Sequence, residues 1–399
     1  MELIQSNKFM DNLISLRRLL PLERKEATAL NLLCSMISSR SGKYPTSQAW
    51  NEACELAYST TISNGLWGYG PNVLLETRIR YLRPLYIKDP EYTEKVEDLI
   101  DQALFHPVLT EENLEMARIM VRNRLRNQKE DPDSACLRQA LDQVQPDHPI
   151  SINMSGRLEE VDSITLDQIR DLWDKISHLP AQILFAGQED DILETLRGSI
   201  EETTYLYKGD MLVNPEKFQK ASSERAISQS SIVLLYTTNI SVRSEEYYTE
   251  LMLNALLGQA PNSLLFEEVR EKHSYCYAIS SALIRFDGVL LVTAGAQREN
   301  LPHIRELVQA QIERLINQDY PDEDLEKARL FMTDRIAGQD DSQSSMLEQC
   351  FLNSYLARPM SVEQLIEKLN NVTKDQISAA AEKLRLVFDS EIVQKEGQK

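Results

Sequence analysis

Arg270 and Tyr277 stand seven positions apart, on either side of a change in hydrophobic period. Upstream, Leu264, Leu265, Phe266 and Val269 fall at helical spacing, which predicts a short helix ending near Arg270. Downstream, Tyr275, Tyr277 and Ile279 alternate as a strand does. Packed backbone at such a junction lets a guanidinium and a phenol converge. Both groups donate hydrogen bonds, and two donors aimed at one carbonyl oxygen stabilise the charge that builds there during peptide-bond hydrolysis. As an isolated pair they would read instead as a cation favoured at a helix C-terminus and a half-buried strand aromatic. The surrounding pattern decides between the two.

The elements that must position this pair recur along the chain. Thr165-Leu166-Asp167-Gln168-Ile169 echoes Thr373-Lys374-Asp375-Gln376-Ile377, an offset of 373 − 165 = 208. Glu112, Leu114, Glu115, Ala117, Arg118, Arg124 and Gln128 match Glu323, Leu325, Glu326, Ala328, Arg329, Arg335 and Gln339, an offset of 323 − 112 = 211. Two echoes at nearly one offset imply a duplicated fold. Val73 to Tyr81 in the first half, and Ser231 to Tyr236 and Gly288 to Ala294 in the second, read as strands; Tyr92 to Leu104, Glu111 to Asn127, Ile304 to Ile316 and Asp322 to Ile336 read as helices. The consistent class is α+β: two similar domains, each an antiparallel sheet with helices packed on one face. The first domain is expected over residues 1–204 and the second over 231–399. Residues 205–230, with Gly209, Pro215 and the run Ala221 to Arg225, are poor in apolar residues and read as the linker.

Composition excludes several functions. A net charge of −19 over 399 residues argues against nucleic acid or an anionic membrane as partner. No apolar run approaches the roughly 18 to 20 residues of a membrane span, and no signal core opens the chain, so a cytoplasmic protein is expected. Cys34, Cys54, Cys136, Cys276 and Cys350 are odd in number and include no C-x-x-C, which argues against a disulfide framework and a thiolate metal site. Nucleotide, dinucleotide and serine-hydrolase glycine motifs are all missing.

The segment from Leu264 to Tyr277 resembles the R-x-x-x-x-x-x-Y motif of the insulinase and mitochondrial-processing-peptidase family, the inverted zincins. The resemblance extends through Tyr247-Tyr248, Leu253-Asn254, Leu257-Gly258 and Ser263 to Phe266, then through Gly288, Gly295 and the acidic helix from Glu323. It implies two domains of the processing-peptidase or LuxS-like metallohydrolase fold. Gly258, before the turn at Pro261-Asn262-Ser263, reads as serving a backbone bend.

Active members of that family carry H-x-x-E-H on a first-domain helix, where two histidines bind zinc and the glutamate acts as general base. This chain has no such motif, and no two of His106, His148, His178, His273 and His303 lie at helical ligand spacing. Matching Ala27 to Pro45 to the motif helix places Asn31, Cys34 and Ser35 where histidine, glutamate and histidine would stand; the later glutamate ligand falls near Arg124. Arginine repels a cation. Loss is concentrated at the metal site while Arg270 and Tyr277 remain. The resemblance therefore implies the zinc-less subunit of a two-subunit metallopeptidase: no metal in this chain, zinc in an H-x-x-E-H partner, and Arg270 and Tyr277 binding the substrate carbonyl in trans. A catalytically silent homodimer that binds peptides or acts as a scaffold is the alternative.

Overall fold

The computed structural model describes residues 1–395. Apolar alternation builds a first sheet from β1 (Glu2–Gln5), β2 (Asp11–Pro21), β3 (Thr61–Tyr69), β4 (Asn72–Leu82) and β5 (Gln182–Gly187), in spatial order β1-β5-β2-β4-β3. A second contains β6 (Gln219–Arg225), β7 (Ser230–Thr237), β8 (Cys276–Ile284), β9 (Val289–Ala296) and β10 (Arg385–Gln394), ordered β6-β10-β7-β9-β8. Replacing β1 to β5 by β6 to β10 converts one order into the other. In each sheet only the first and last strands in sequence pair in parallel; the other pairs are antiparallel.

On β2 and β4, Ile14, Leu16, Leu20, Val73, Leu75 and Ile79 share one face, as the two-residue period requires. They bury against helices that include Arg24–Met36, Glu111–Glu130 and Leu166–Ser177 towards one end, and Tyr92–Phe105 towards the other. Among the described residues, a single further helix lies on the opposite face of each sheet: Gln343–Tyr355 on the first, Pro132–Val144 on the second.

Each covering helix is borrowed from the other half of the sequence. One compact unit comprises residues 1–126, 153–208 and 339–359; the other comprises 127–152, 209–338 and, of the described residues, 360–395. The second echo explains this exchange: the covering helices begin at Pro132 and Gln343, and 343 − 132 = 211 repeats its offset. The first echo is a repeated N-cap. Thr165 and Thr373 each accept from the backbone N–H of Gln168 and Gln376, whose side chains accept in return at 2.8 and 2.9 Å. The stretch read from sequence as a linker contains β6, paired with β10. As an outer strand it needs no apolar run, and its residues Gln219 to Arg225 are polar apart from Ala221.

Two acids in the second unit give folding a pH dependence. Glu250 is 2% exposed and leaves Oε1 buried without a hydrogen-bond partner; Asp287, 6% exposed, lies near His148. Burial pushes both carboxyls up to about 7. Their ordinary values lie near 4, so between about pH 4 and 7 the folded chain holds protons that the unfolded chain has released, and stability falls as pH rises through that window. Glu250→Gln should flatten this decline in urea midpoints measured from pH 4.5 to 8. An unchanged slope would show that Glu250 carries none of it.

Candidate active site

The Arg24–Met36 helix presents Asn31, Cys34 and Ser35 toward the Glu111–Glu130 helix, which brings Arg124 to them. Asn31 is 5% exposed, and every polar atom of its amide is used. Its Nδ2 donates to the carbonyls of Ala27 at 2.8 Å and Met154 at 2.6 Å, while its Oδ1 accepts from the Arg124 guanidinium. The loop from Asn153 to Arg157 closes over this helix. Gly156 permits that approach: its φ is +89°, and a Cβ there would stand 2.8 Å from Thr28 Cα. Thr28 Oγ1 accepts from Arg157 N–H and donates to Glu160.

Asn31 and Arg124 are thus hydrogen-bonded to each other at positions that sequence reading treated as separate vacant ligands. A direct bond across 93 residues leaves no local signal in the sequence. The site suits no divalent cation: its cation is covalently part of the chain, and the Asn31 oxygen already serves it. Cys34 supplies no thiolate at neutral pH, because burial pushes its thiol up to about 11 against the opposing pull of Arg124. Ser35 Oγ lies 3.6 Å from Met120 Sδ. Among the described residues no cluster of three or more His, Cys, Asp or Glu side chains is arranged to hold a metal.

The Arg270 segment is a π-helix, Phe266–Lys272, which runs two residues beyond the expected end. Such widened turns are frequent at functional sites. The Arg270 guanidinium lies 4.7 Å from the centre of the Phe266 ring, with Glu271 3.9 Å away, and remains 44% exposed. Ser274, at φ 54°, then turns the chain into β8. Val269 O accepts from Tyr275 N–H, and Tyr275 stacks between His273 and His303 at 5.3 and 5.1 Å.

Tyr277 departs from simple alternation. The β8–β9 register shifts between Cys276 and Ala278, so Tyr277 is the extra residue of a bulge on an outer strand. A bulge re-aims a side chain. Tyr277 is 67% exposed whereas Ile279, two residues on, is 6% exposed. Its hydroxyl makes no hydrogen bond among the described residues, and neither it nor Arg270 bonds the other. Both donor groups are open. Gly258 serves close packing more than a bend: a Cβ there would stand 2.7 Å from the Ser281 backbone nitrogen of β8.

A five-stranded α+β unit repeated with identical strand order, a first-unit helix without zinc ligands, and a second-unit arginine–tyrosine segment define a two-domain, inverted-zincin-like chain. Residues 163–331 match the Peptidase M16 inactive domain family. Over that stretch, which includes Arg270 and Tyr277, the chain is similar to the inactive domain of M16 peptidases. It is 20% identical over 396 residues to the "Probable inactive metalloprotease YmfF" of Bacillus subtilis, covering 96% of this chain and 93% of the relative. Among solved structures, a conserved protein from Enterococcus faecalis superposes with a TM-score of 0.88 at 18% identity, covering 100% of this chain and 96% of that one. A peptidase M16 inactive domain from Pseudomonas fluorescens gives 0.79 at 17% identity, covering 100% and 96%. At these identities the superpositions establish the fold.

The metal-position chemistry leads to a direct expectation. Chain purified with zinc in the buffer should retain no stoichiometric metal by mass spectrometry after gel filtration, and should hydrolyse no peptide alone. One tightly bound zinc per chain, with chelator-sensitive hydrolysis, would overturn the reading of Asn31 and Arg124.

Proposed function

We propose that this chain is the non-catalytic, zinc-less subunit of a heterodimeric zinc metallopeptidase that processes peptides. Its partner is a paralogous subunit bearing H-x-x-E-H and zinc, and this chain supplies Arg270 and Tyr277 in trans. One contrast carries the proposal. The first-unit positions are closed to a metal ion by an amide–guanidinium bond, whereas the second-unit donors remain open to a carbonyl oxygen. Similarity to an inactive metalloprotease supports the absence of activity in this chain alone.

The partner's zinc would polarise the scissile carbonyl and supply the attacking water. Arg270 and Tyr277 would hold the substrate carbonyl beside it. The outer strands β3 and β8 offer edges to which an extended peptide can add as a further strand. All five cysteines are free, which fits a reducing compartment, and we place the complex in the cytoplasm. No helix of the described residues is long and apolar enough to cross a membrane.

Mixing the chain with each H-x-x-E-H family member of the same genome tests the assignment. One mixture should gain peptidase activity that neither chain has alone. Failure of every partner, with the chain eluting as a homodimer, would favour the peptide-binding scaffold.

A further inference from the structure

The Glu111–Glu130 helix is charged unlike the chain as a whole. From Arg118 to Lys129 it carries Arg118, Arg122, Arg124, Arg126 and Lys129 with no acidic residue, in a protein of net charge −19. Carboxylates pair with two of these: Glu115 with Arg118 at 3.1 Å, and Asp162 with Arg122. Arg124 has no carboxylate partner among the described residues. It is held instead by the neutral amide of Asn31, which is itself buried and anchored on two carbonyls. A guanidinium fixed by a neutral group keeps its full charge and loses little freedom on meeting an anion.

Two exposed methionines continue from it along one ridge. Met116, Met120 and Arg124 are spaced four residues apart, so they stand on one face of the helix. Met116 is 42% exposed and Met120 63%, and Ile119 beside them is 47% exposed. Met116 Sδ lies 2.9 Å from an Arg40 nitrogen, and Met120 Sδ lies beside Ser35, so the ridge borders the C-terminal end of the Arg24–Met36 helix. Apolar side chains clustered in water mark a contact surface, and thioethers adapt to what they touch.

Spacing identifies the occupant. Four helical residues rise about 6 Å, and alternate residues of an extended peptide are separated by about 6.6 Å. An extended segment with side chains apolar, apolar and acidic at positions i, i+2 and i+4 therefore matches Met116, Met120 and Arg124 in both step and chemistry. We infer that this ridge is a recognition site for an extended peptide of the pattern apolar-x-apolar-x-acidic, with Arg124 receiving the acidic side chain. The inference rests on the reading of this chain as a peptide-holding subunit and assigns that subunit a sequence preference. The residue that stands at a vanished metal ligand becomes a binding residue, and the anion it takes is one that the acidic remainder of the surface would repel.

Fluorescence anisotropy tests it on the intact chain. The probe is a fluorescein-labelled, C-terminally amidated peptide, Gly-Leu-Ser-Leu-Ser-Glu-Gly. Replacing its Glu by Gln, or making Arg124→Gln, should each weaken binding about ten-fold, and combining the two should weaken it little further. Met120→Ser, a surface change, should also weaken binding; Arg126→Gln, which alters a cation with no described anchor, should leave it unchanged. Equal thermal midpoints show that the variants remain folded. Equal binding by wild type and Arg124→Gln would overturn the inference, as would an equal loss in Arg126→Gln or no binding up to about 1 mM peptide. Tighter binding of the Gln peptide with a free C-terminus would overturn the side-chain assignment in favour of a terminal carboxylate. Turnover in the reconstituted heterodimer is scored separately, so loss of ridge binding with turnover intact sinks this inference alone.

Discussion

Arg17→Met should lower the free energy of unfolding by about 3–5 kcal/mol, because it strands a buried carboxylate. Arg17 is 1% exposed and Glu76 2%, both on the first-sheet face beneath the Gln343–Tyr355 helix. The guanidinium donates to Ser15 at 3.0 Å, Glu76 at 3.1 Å and Glu348 at 3.0 Å, and lies 4.5 Å from the centre of the Phe351 ring. Glu76 also accepts from Ser15 and from the Trp67 indole, and pairs with Arg78 at 2.8 Å. Burial alone would raise the Glu76 carboxyl, but Arg17, Arg78 and Ser15 outweigh it and hold it below its ordinary value. With Arg17 gone, Arg78 remains, but it is partly exposed and its charge is correspondingly screened. Adding Glu76→Gln to Arg17→Met should recover part of the loss, since the stranded charge is then removed. Urea unfolding checks both; a loss below about 1 kcal/mol in the single variant would show that water or relaxation solvates Glu76.

That network was not legible in the sequence. Arg17-Arg18 and Glu76 sit within apolar runs and look like solvent-facing interruptions; the partners that cover Arg17, namely Glu348 and Phe351, come from a helix more than 300 residues away. The covering helix Pro132–Val144 has a local start signal in the Asp131 N-cap followed by Pro132, but nothing near it in the sequence says which sheet it covers. Local patterns served better. Val73 to Tyr81 lies within β4 and Ser231 to Tyr236 within β7, where apolar runs fill largely buried strands, and Glu111 to Asn127 lies within its helix, where the buried residues recur at helical spacing. The outer strands β1 and β6 went unread: one is only four residues long, and the other is largely polar. In the candidate site, alternation from Tyr275 through Ile279 implied a shared face, and the bulge at Tyr277 breaks it. Bulges leave little trace in a single sequence.

The second large effect concerns catalysis in the complex. Arg270→Ala and Tyr277→Phe should leave assembly with the zinc-bearing partner intact by gel filtration and lower turnover. Loss of one donor to a developing oxyanion typically costs about 10²- to 10³-fold in rate. Arg270→Ala also removes packing over the Phe266 ring, so part of its effect could reflect a displaced π-turn. Tyr277→Phe removes only a hydroxyl that bonds nothing in the described structure. Its side chain is largely exposed on an outer strand, so fold stability should change by less than about 0.5 kcal/mol. An interaction made only in the transition state lowers kcat and kcat/KM together, whereas loss of ground-state binding raises KM alone.

The most direct measurement is therefore kcat of the reconstituted heterodimer carrying Tyr277→Phe, at saturating peptide and with complex formation verified. A fall of about 10²- to 10³-fold with KM unchanged is the predicted result. Wild-type turnover in that complex would contradict the assignment of Tyr277 as a donor in trans.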